Sequence, residues 1–384
     1  MSDDLIRTVP IKLDVDGHGS VLSETARRFN AAATWIADIC WREGITNTHT
    51  AHHRVYGETR RRFGLGAQLA VCARAKAMEA IRATRKTGSD TCPTFGPTGS
   101  VRYDARTYRL LPLDGVSLST VAGRVTARLL PGAHQRRLLL EQGWQIGGAD
   151  LVQRRGLWYL HLTQHKPAPT PAAPGGYVGV DLGIVNLATT DDGQTFSGAR
   201  VTAVRQRRFA HRRRLQQRHT RRSRAHLRTL ARKEARFQRD VNHCISKALV
   251  AKASRDCKAL ALEDLTGIRA RVTVRHEQRR ERESWAFYQL RAYISYKSKA
   301  AGIPVVLVDP RNTSRTCFAC GHCAKGNRRS RSHFCCLSCG HVAVADVNAA
   351  RNIALRAAVN RPIVLPGADL PIASTSPPAL AVGR

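Results

Sequence analysis

The sequence predicts an α+β protein of several domains: a small N-terminal β-barrel with a helical insertion, followed by an α/β domain that carries an inserted cysteine-rich ribbon. Three observations carry this prediction. A strand-like run opens the chain, and strand-like runs resume only after a long stretch of helical spacing. A Pro/Ala/Gly segment, HKPAPTPAAPGG from His165 to Gly176, divides the chain. Beyond it, two Cys-x-x-Cys pairs stand fifteen residues apart.

Taken in order, residues 5–14 (LIRTVPIKLD) alternate apolar and polar as a half-buried strand does. From about Leu22 to Arg85 the spacing is helical, with no proline and only Gly44 before Gly57. Gly88, Pro93, Gly96, Pro97 and Gly99 end that pattern, and short strands are expected at about 101–110, 114–130 and 140–164. After the divider, 177–183 (YVGVDLG) and 187–197 read as two tightly joined strands, with Asp192-Gly193 as a further hairpin turn. Residues 204 to about 255 read as helix. Two short apolar strands follow, KALALED ending in Glu263-Asp264 and IPVVLVD from Ile303 to Asp309. After the cysteines comes a helix from about Asp346 to Val359. From Arg361 the chain is rich in proline and small residues and is read as a disordered tail.

Of 384 residues, 63 are Lys or Arg and 28 Asp or Glu, a formal charge of +35. Self-repulsion on that scale works against a compact state unless a polyanion neutralises it, so the partner expected is nucleic acid. No apolar run approaches the ~18 residues a membrane-spanning helix needs, so no membrane partner is expected. Met1-Ser2-Asp3-Asp4 lacks a signal peptide's apolar stretch, and a cytoplasmic protein with reduced thiols is expected. The basic charge is densest between Arg205 and Arg239, with fifteen Lys/Arg against the single Glu234. The apolar residues there, Phe209, Leu215, Leu227, Leu230 and Phe237, make only a thin stripe. Arg205, Arg208, Arg212, Arg221 and Arg228 are therefore candidates for phosphate contact. Trp285, Phe287 and Tyr288 are expected to pack in a core, with base stacking as the alternative.

Phosphodiester hydrolysis by paired metal ions requires carboxylates that converge on ions about 3.5–4 Å apart. Asp181 sits on YVGVDLG, where Val180 and Leu182 point to the opposite face, so its carboxylate emerges alone on one side. Glu263 and Asp264 end a second apolar strand and, by alternation, point to opposite faces. Asp346 opens the helix DVNAARNIALRAA, where a carboxylate suits the positive helix end. Each of these positions taken alone is ordinary edge polarity or capping. Together they supply one acid from each of two strands and one from a helix, the RNase H arrangement. Asn348 and Asn352 share a helical face just beyond; Asn352 is read either as orienting a neighbour or phosphate or as simple packing.

Cys317-x-x-Cys320 and Cys336-x-x-Cys339 have the spacing of a four-thiolate zinc ribbon. Each pair is followed by glycine, Gly321 or Gly340, which lets the backbone turn so that amides reach the sulfurs. Cys323 and Cys335 lack that feature. Four thiolates leave no open position, so the ion expected is one structural Zn²⁺. Between the pairs, Arg328, Arg329 and Arg331 are candidates for phosphate contact. Cys40, Cys72, Cys92, Cys244 and Cys257 are expected to be buried small hydrophobes.

In the order GVDLGIVNLA at 179–188, LEDLTGI at 262–268, WAFYQL and YK at 285–297, DPRNTSRTCFACG at 309–321, CLSCG at 336–340 and ADVNAARNI at 345–353, the chain resembles the TnpB family of transposon-encoded nucleases and the miniature type V CRISPR effectors related to it. The resemblance covers residues 177 to 358; the N-terminal half matches only in layout. It implies an RNA-guided, Mg²⁺-dependent RuvC-type DNA endonuclease with a guide RNA and double-stranded target DNA as partners. Asp181, Glu263 and Asp346 would hold two Mg²⁺ ions, and the family pattern selects Glu263 over Asp264. The implied domains are a β-barrel at 1–20 and 90–164, a helical recognition lobe at 21–89, a linker at 165–176, an RNase H-like (RuvC) nuclease domain at 177–311 and 341–360, a zinc ribbon at 312–340, and the tail at 361–384. A guide-directed or zinc-ribbon protein that binds DNA without cutting and an RNA-independent junction resolvase are the alternatives.

Overall fold

The computed structural model describes residues 4–265 and 287–359. The expected tail at 361–384, Trp285 and the end of LEDLTGI lie outside the described residues. The chain divides after Pro167 into two compact units.

In the first unit, β1 (Asp4–Asp14) precedes three helices, α1 (Gly19–Arg42), α2 (Thr48–Phe63) and α3 (Ala67–Lys86). The strands β2 (Val101–Tyr103), β3 (Tyr108–Leu111), β4 (Gly115–Thr120) and β5 (Gly123–Leu130) follow, then α4 (Ala133–Leu140), β6 (Gln145–Arg154) and β7 (Leu157–Pro167). The strands form one antiparallel sheet in the order β2-β6-β7-β1-β5-β4-β3. Alternation selects its buried face: Val9, Ile11 and Leu13 on β1 and Trp158, Leu160 and Leu162 on β7 are all inside. The sheet nearly closes. The Tyr103 hydroxyl on β2 donates to Ser119 O on β4 at 2.9 Å, and that of Tyr108 on β3 donates to Gly147 O on β6 at 2.5 Å.

The helical stretch is real but broken at Gly44 and at Gly64-Leu65-Gly66. Gly64 ends α2 in the left-handed region, φ 62°, and its N–H returns to Arg60 O. Two expectations differ from the structure. The short helix α4, with no fully buried residue, occupies a stretch not read as helical, since its eight residues bunch their leucines at one end instead of spacing them at helical period. The expected linker is also shorter, because β1 extends far enough to pair Asp4 with Pro167 and Leu5 with Lys166, drawing the segment's start into β7. Its remainder lies along the second unit, with Ala172 N–H donating to Gly302 O and Gly175 N–H to Cys257 O.

The second unit holds β8 (Tyr177–Asp181), β9 (Asn186–Thr190) and β10 (Thr195–Ser197), then α5 (Ala199–Gln216), α6 (Arg221–Arg255) and β11 (Ala259–Glu263). α7 (Phe287–Ala300), β12 (Val305–Val308), the hairpin β13 (His333–Cys335) and β14 (Val342–Val344), and α8 (Ala345–Val359) complete it. Its main sheet runs β10-β9-β8-β11-β12. The first three strands form an antiparallel meander, while β11 is parallel to both β8 and β12. Val178, Val180, Leu260 and Leu262 pack with Ile245 and Leu249 of α6 and Leu290 and Ile294 of α7. On the other face, Ala261, Val306 and Val308 meet Ile353 and Ala357 of α8. The helix expected at 204–255 is two helices: His219 turns at φ 47°, and Thr220 Oγ1 caps α6 by accepting from Ser223 N–H at 3.0 Å.

Phe287 packs at the edge of this core, whereas Tyr288 is about half exposed, a departure from the core reading explained by the rotation of about 100° between consecutive helical residues. Cys40 and Cys72 are buried as expected. Cys244 and Cys257 are exposed instead, the first on an outward position of α6 and the second in a left-handed turn after it, φ 51°.

Candidate functional site

Alternation along two strands and the close docking of one helix bring the three carboxylates together. Gly179 and Asp181 share a face of β8, and Ala261 and Glu263 share the same face of β11, which is the face α8 covers. At Gly179 the approach is so close that a Cβ would lie 1.9 Å from Ala350 O, so only glycine admits the helix. One turn earlier in α8 is Asp346, which is thereby delivered beside Asp181.

Burial, then the charges of Glu263 and Asp346, push the Asp181 carboxyl up to about 8, with Arg328 opposing. Glu263, 9% exposed, is likewise raised by burial, against the Thr313 hydroxyl that donates to its Oε1 and the more distant Arg356 and Arg328. Asp346 accepts from Asn186 Nδ2 at 2.9 Å and from Arg328 Nη2 at 3.3 Å. Asp264 points the other way and accepts from Arg291 Nη1 at 2.9 Å, so the neighbouring acids serve different faces.

Three residues at this site escaped the sequence reading of its chemistry: Thr313, Asn186 and Arg328. Thr313 is held from behind, since Asn352 Nδ2 donates to Thr313 O at 2.9 Å and to Thr316 O at 2.7 Å. Asn348 spans the same segment, donating to Thr316 O and accepting from Phe318 N–H. The two asparagines thus fasten the loop before the first cysteine pair to α8. Arg328, a candidate for phosphate contact, leans on Asp346 and donates to Arg331 O. Arg329 is exposed.

Among the described residues, Cys317, Cys320, Cys336 and Cys339 are a group whose ligand atoms all lie within 4.8 Å of one another. Cys317 Sγ is 3.7 Å from Cys339 Sγ, and Cys320 Sγ is 3.5 Å from Cys336 Sγ. A tetrahedral site with Zn–S bonds of about 2.3 Å needs sulfurs roughly 3.8 Å apart, so the cluster is compatible with zinc. Gly321 and Gly340 take φ of 75° and 73°, and their amides return to Cys317 O and Cys336 O. The amide of Cys339, against burial, and that of Ser338 pull the Cys336 thiol down to about 6.

The basic segment divides by face. Arg205 donates to Gln238 Oε1 at 2.7 Å, Arg208 lies 5.5 Å over the Phe237 ring and Arg212 pairs with Glu234 at 2.6 Å, so these three help join α5 to α6. Arg221 and Arg228 are exposed, as are Arg222 and Arg224.

Comparison with known proteins accords with this construction. Residues 160–268 match the family described as "Probable transposase" (OrfB_IS605), and residues 287–353 match "Cas12f1-like, TNB domain". The CRISPR-associated endodeoxyribonuclease Cas12f1 of Sulfoacidibacillus thermotolerans is 40% identical over 124 residues, 32% of this chain and 28% of that protein. The putative RNA-guided DNA endonuclease InsQ of Escherichia coli (strain K12) is 31% identical over 233 residues, 54% of this chain and 56% of that one. The chain therefore spans less than two thirds of the length of these relatives. In fold, it is similar to a chain of a Cas12f1-sgRNA-target DNA complex, with a TM-score of 0.67 at 15% identity over 92% of this chain and 99% of that one. It is also similar to the mini-RNA-guided endonuclease CRISPR-Cas_phi3, at a TM-score of 0.57 and 10% identity over 92% of each chain. The chain is thus a relative of the TnpB/OrfB_IS605 and Cas12f1-like proteins, and it carries both of their matched domains between residues 160 and 353.

Proposed function

We propose that this protein is an RNA-guided DNA endonuclease that hydrolyses phosphodiester bonds in a single RuvC site. The observation that carries the reading is the convergence of Asp181, Glu263 and Asp346 on the α8 face of the sheet, where burial and mutual repulsion raise the Asp181 carboxyl to about 8. Uncompensated acids of this kind destabilise a fold unless cations neutralise them. The donors are hard carboxylate oxygens, which fit Mg²⁺, and a pair of such ions supplies an activated water and stabilises the leaving oxygen. Asp181, Glu263 and Asp346 would hold the ions, with Thr313 donating to Glu263 and Asn186 and Arg328 donating to Asp346.

The meander followed by two parallel strands supports an RNase H-like domain at 177–311 and 341–360, interrupted by a zinc ribbon at 312–340 whose four thiols hold one structural ion. The nearly closed sheet with α1–α3 inserted supports a barrel and recognition lobe in the first unit. Exposed arginines of α6 track the phosphates of the guide and its DNA target by shape, without reading bases. Names of the relatives point the same way, toward guide RNA and target DNA as partners. Among the described residues no helix is long and apolar enough to cross a membrane.

The test is to purify the protein from cells, sequence the RNA that accompanies it, and offer that complex a matching duplex with Mg²⁺. A discrete RNA and guided cutting are expected, with cutting lost in Asp181→Ala. No discrete RNA would refute guidance, and cutting that survives Asp181→Ala would refute the site.

A further inference from the structure

Among the described residues, a pair of ligating side chains outside the carboxylate and cysteine sites is arranged for chemistry. His49 and His53 stand four residues apart on α2, so they lie one turn above the other on the same exposed face. Their Nε2 atoms face each other at 3.1 Å, with ring centroids 4.4 Å apart. The geometry points to a chelate for a borderline divalent cation of the Zn²⁺ or Ni²⁺ class, held between His49 Nε2 and His53 Nε2.

Imidazole suits such ions, and metal–nitrogen bonds of ~2.0–2.1 Å spanning that gap close an N–metal–N angle of roughly 100°, between octahedral and tetrahedral values. The helix supplies the preorganisation. Asn47 caps α2, its Oδ1 accepting from His49 N–H at 2.7 Å, and this fixes the backbone that carries the first ligand. Arg54, the nearest competing cation in sequence, is engaged by Glu43 at 2.6 Å. Arg74 donates to Thr48 O beneath the first turn. His52 is set apart from the pair: it packs on Tyr56 with centroids 4.5 Å apart, and its ring meets His53 edge-on at 5.8 Å. Two protein ligands leave the cation open positions toward solvent, so it can take water or an added donor such as a phosphate oxygen. This site does not depend on the proposed nuclease activity.

Its test uses the untagged full chain, loaded with zinc and freed of excess, titrated with Ni²⁺ in a calorimeter. Against the His49→Gln, His53→Gln double variant, which retains the carboxylate site, the wild type should bind one further equivalent, and His49→Gln or His53→Gln should each weaken that equivalent at least tenfold while His52→Gln leaves it within twofold. Ni²⁺ should raise the melting temperature only where both rings are present, since the chelate clamps the first turn of α2. Circular dichroism of the variants separates lost ligation from lost folding. Wild-type binding by the His49→Gln, His53→Gln double variant would overturn the assignment, as would a loss in His52→Gln equal to that in His49→Gln.

Discussion

Asp181 illustrates how a residue can work against the fold that carries it. Its carboxyl is raised to about 8 by burial and by two neighbouring acids. Below an unfolded-state value near 3.8 the protonated form costs nothing. Through the window from about 4 to 8 the folded chain holds more protons than the unfolded chain, so stability falls as pH rises and levels off above 8. The ion-free protein should therefore show a melting temperature that declines across this window. Asp181→Asn should flatten that decline and stabilise the ion-free chain at pH 8 by on the order of 1–3 kcal/mol, while abolishing cleavage. A wild-type melting curve that does not change with pH would contradict the packing described for this site. Thr313 belongs at the same scale. Its hydroxyl donates to Glu263 and its carbonyl is held by Asn352, so Thr313→Val should lower turnover by about 10–100-fold with little change in RNA affinity. Thr313→Ser should restore most of it, and equal rates in the two variants would show the contact to be unimportant.

Among the elements, α8 decides whether there is a site at all. It lies on β8 at Gly179, carries Asp346 in its first turn, and uses Asn348 and Asn352 to hold the loop leading into the cysteine centre. Gly179→Ala places a methyl where Ala350 O now sits, and backbone cannot yield as a side chain can. Destabilisation of about 3 kcal/mol or more is expected, with loss of cleavage, and a chemical denaturation curve checks it. Wild-type stability in this variant would mean that α8 docks less closely. The spacing of the four cysteines was legible because metal ligation is local in sequence. The three carboxylates stood out only as an ordered set, since each alone reads as edge polarity or capping and the choice of Glu263 over Asp264 rested on the resemblance to the TnpB family. Thr313, Asn186 and Arg328 were not legible, since each meets its carboxylate across a long sequence separation, and single Thr, Asn and Arg residues in loops or at a strand end carry no periodic signal.

For the molecule as a whole, the charge of +35 is the dominant physical fact, and the structure sorts it by role. Arg205, Arg208 and Arg212 make contacts within the α5–α6 pair. Arg221, Arg222, Arg224 and Arg228 remain exposed. Replacing these four by Gln should weaken nucleic-acid binding uniformly across sequences and flatten the slope of log affinity against log salt by about 3, leaving the fold unchanged. An unaltered salt slope would move the interface elsewhere.

The sequence by itself determined the chemistry available to this protein: three acids on two strands and a helix, four thiols at ribbon spacing, and a polyanion-seeking charge. The thiols and the charge follow from spacing and composition, and the acids from the order of short motifs along the chain. Only the tertiary structure decided that Glu263 and Asp264 part toward Thr313 and Arg291, that Arg328 leans on an acid, and that Arg205, Arg208 and Arg212 face a neighbouring helix. Those outcomes depend on which distant segments pack together, and a glycine contact such as Gly179 against Ala350 is set by the docking of whole elements, beyond the reach of any local pattern.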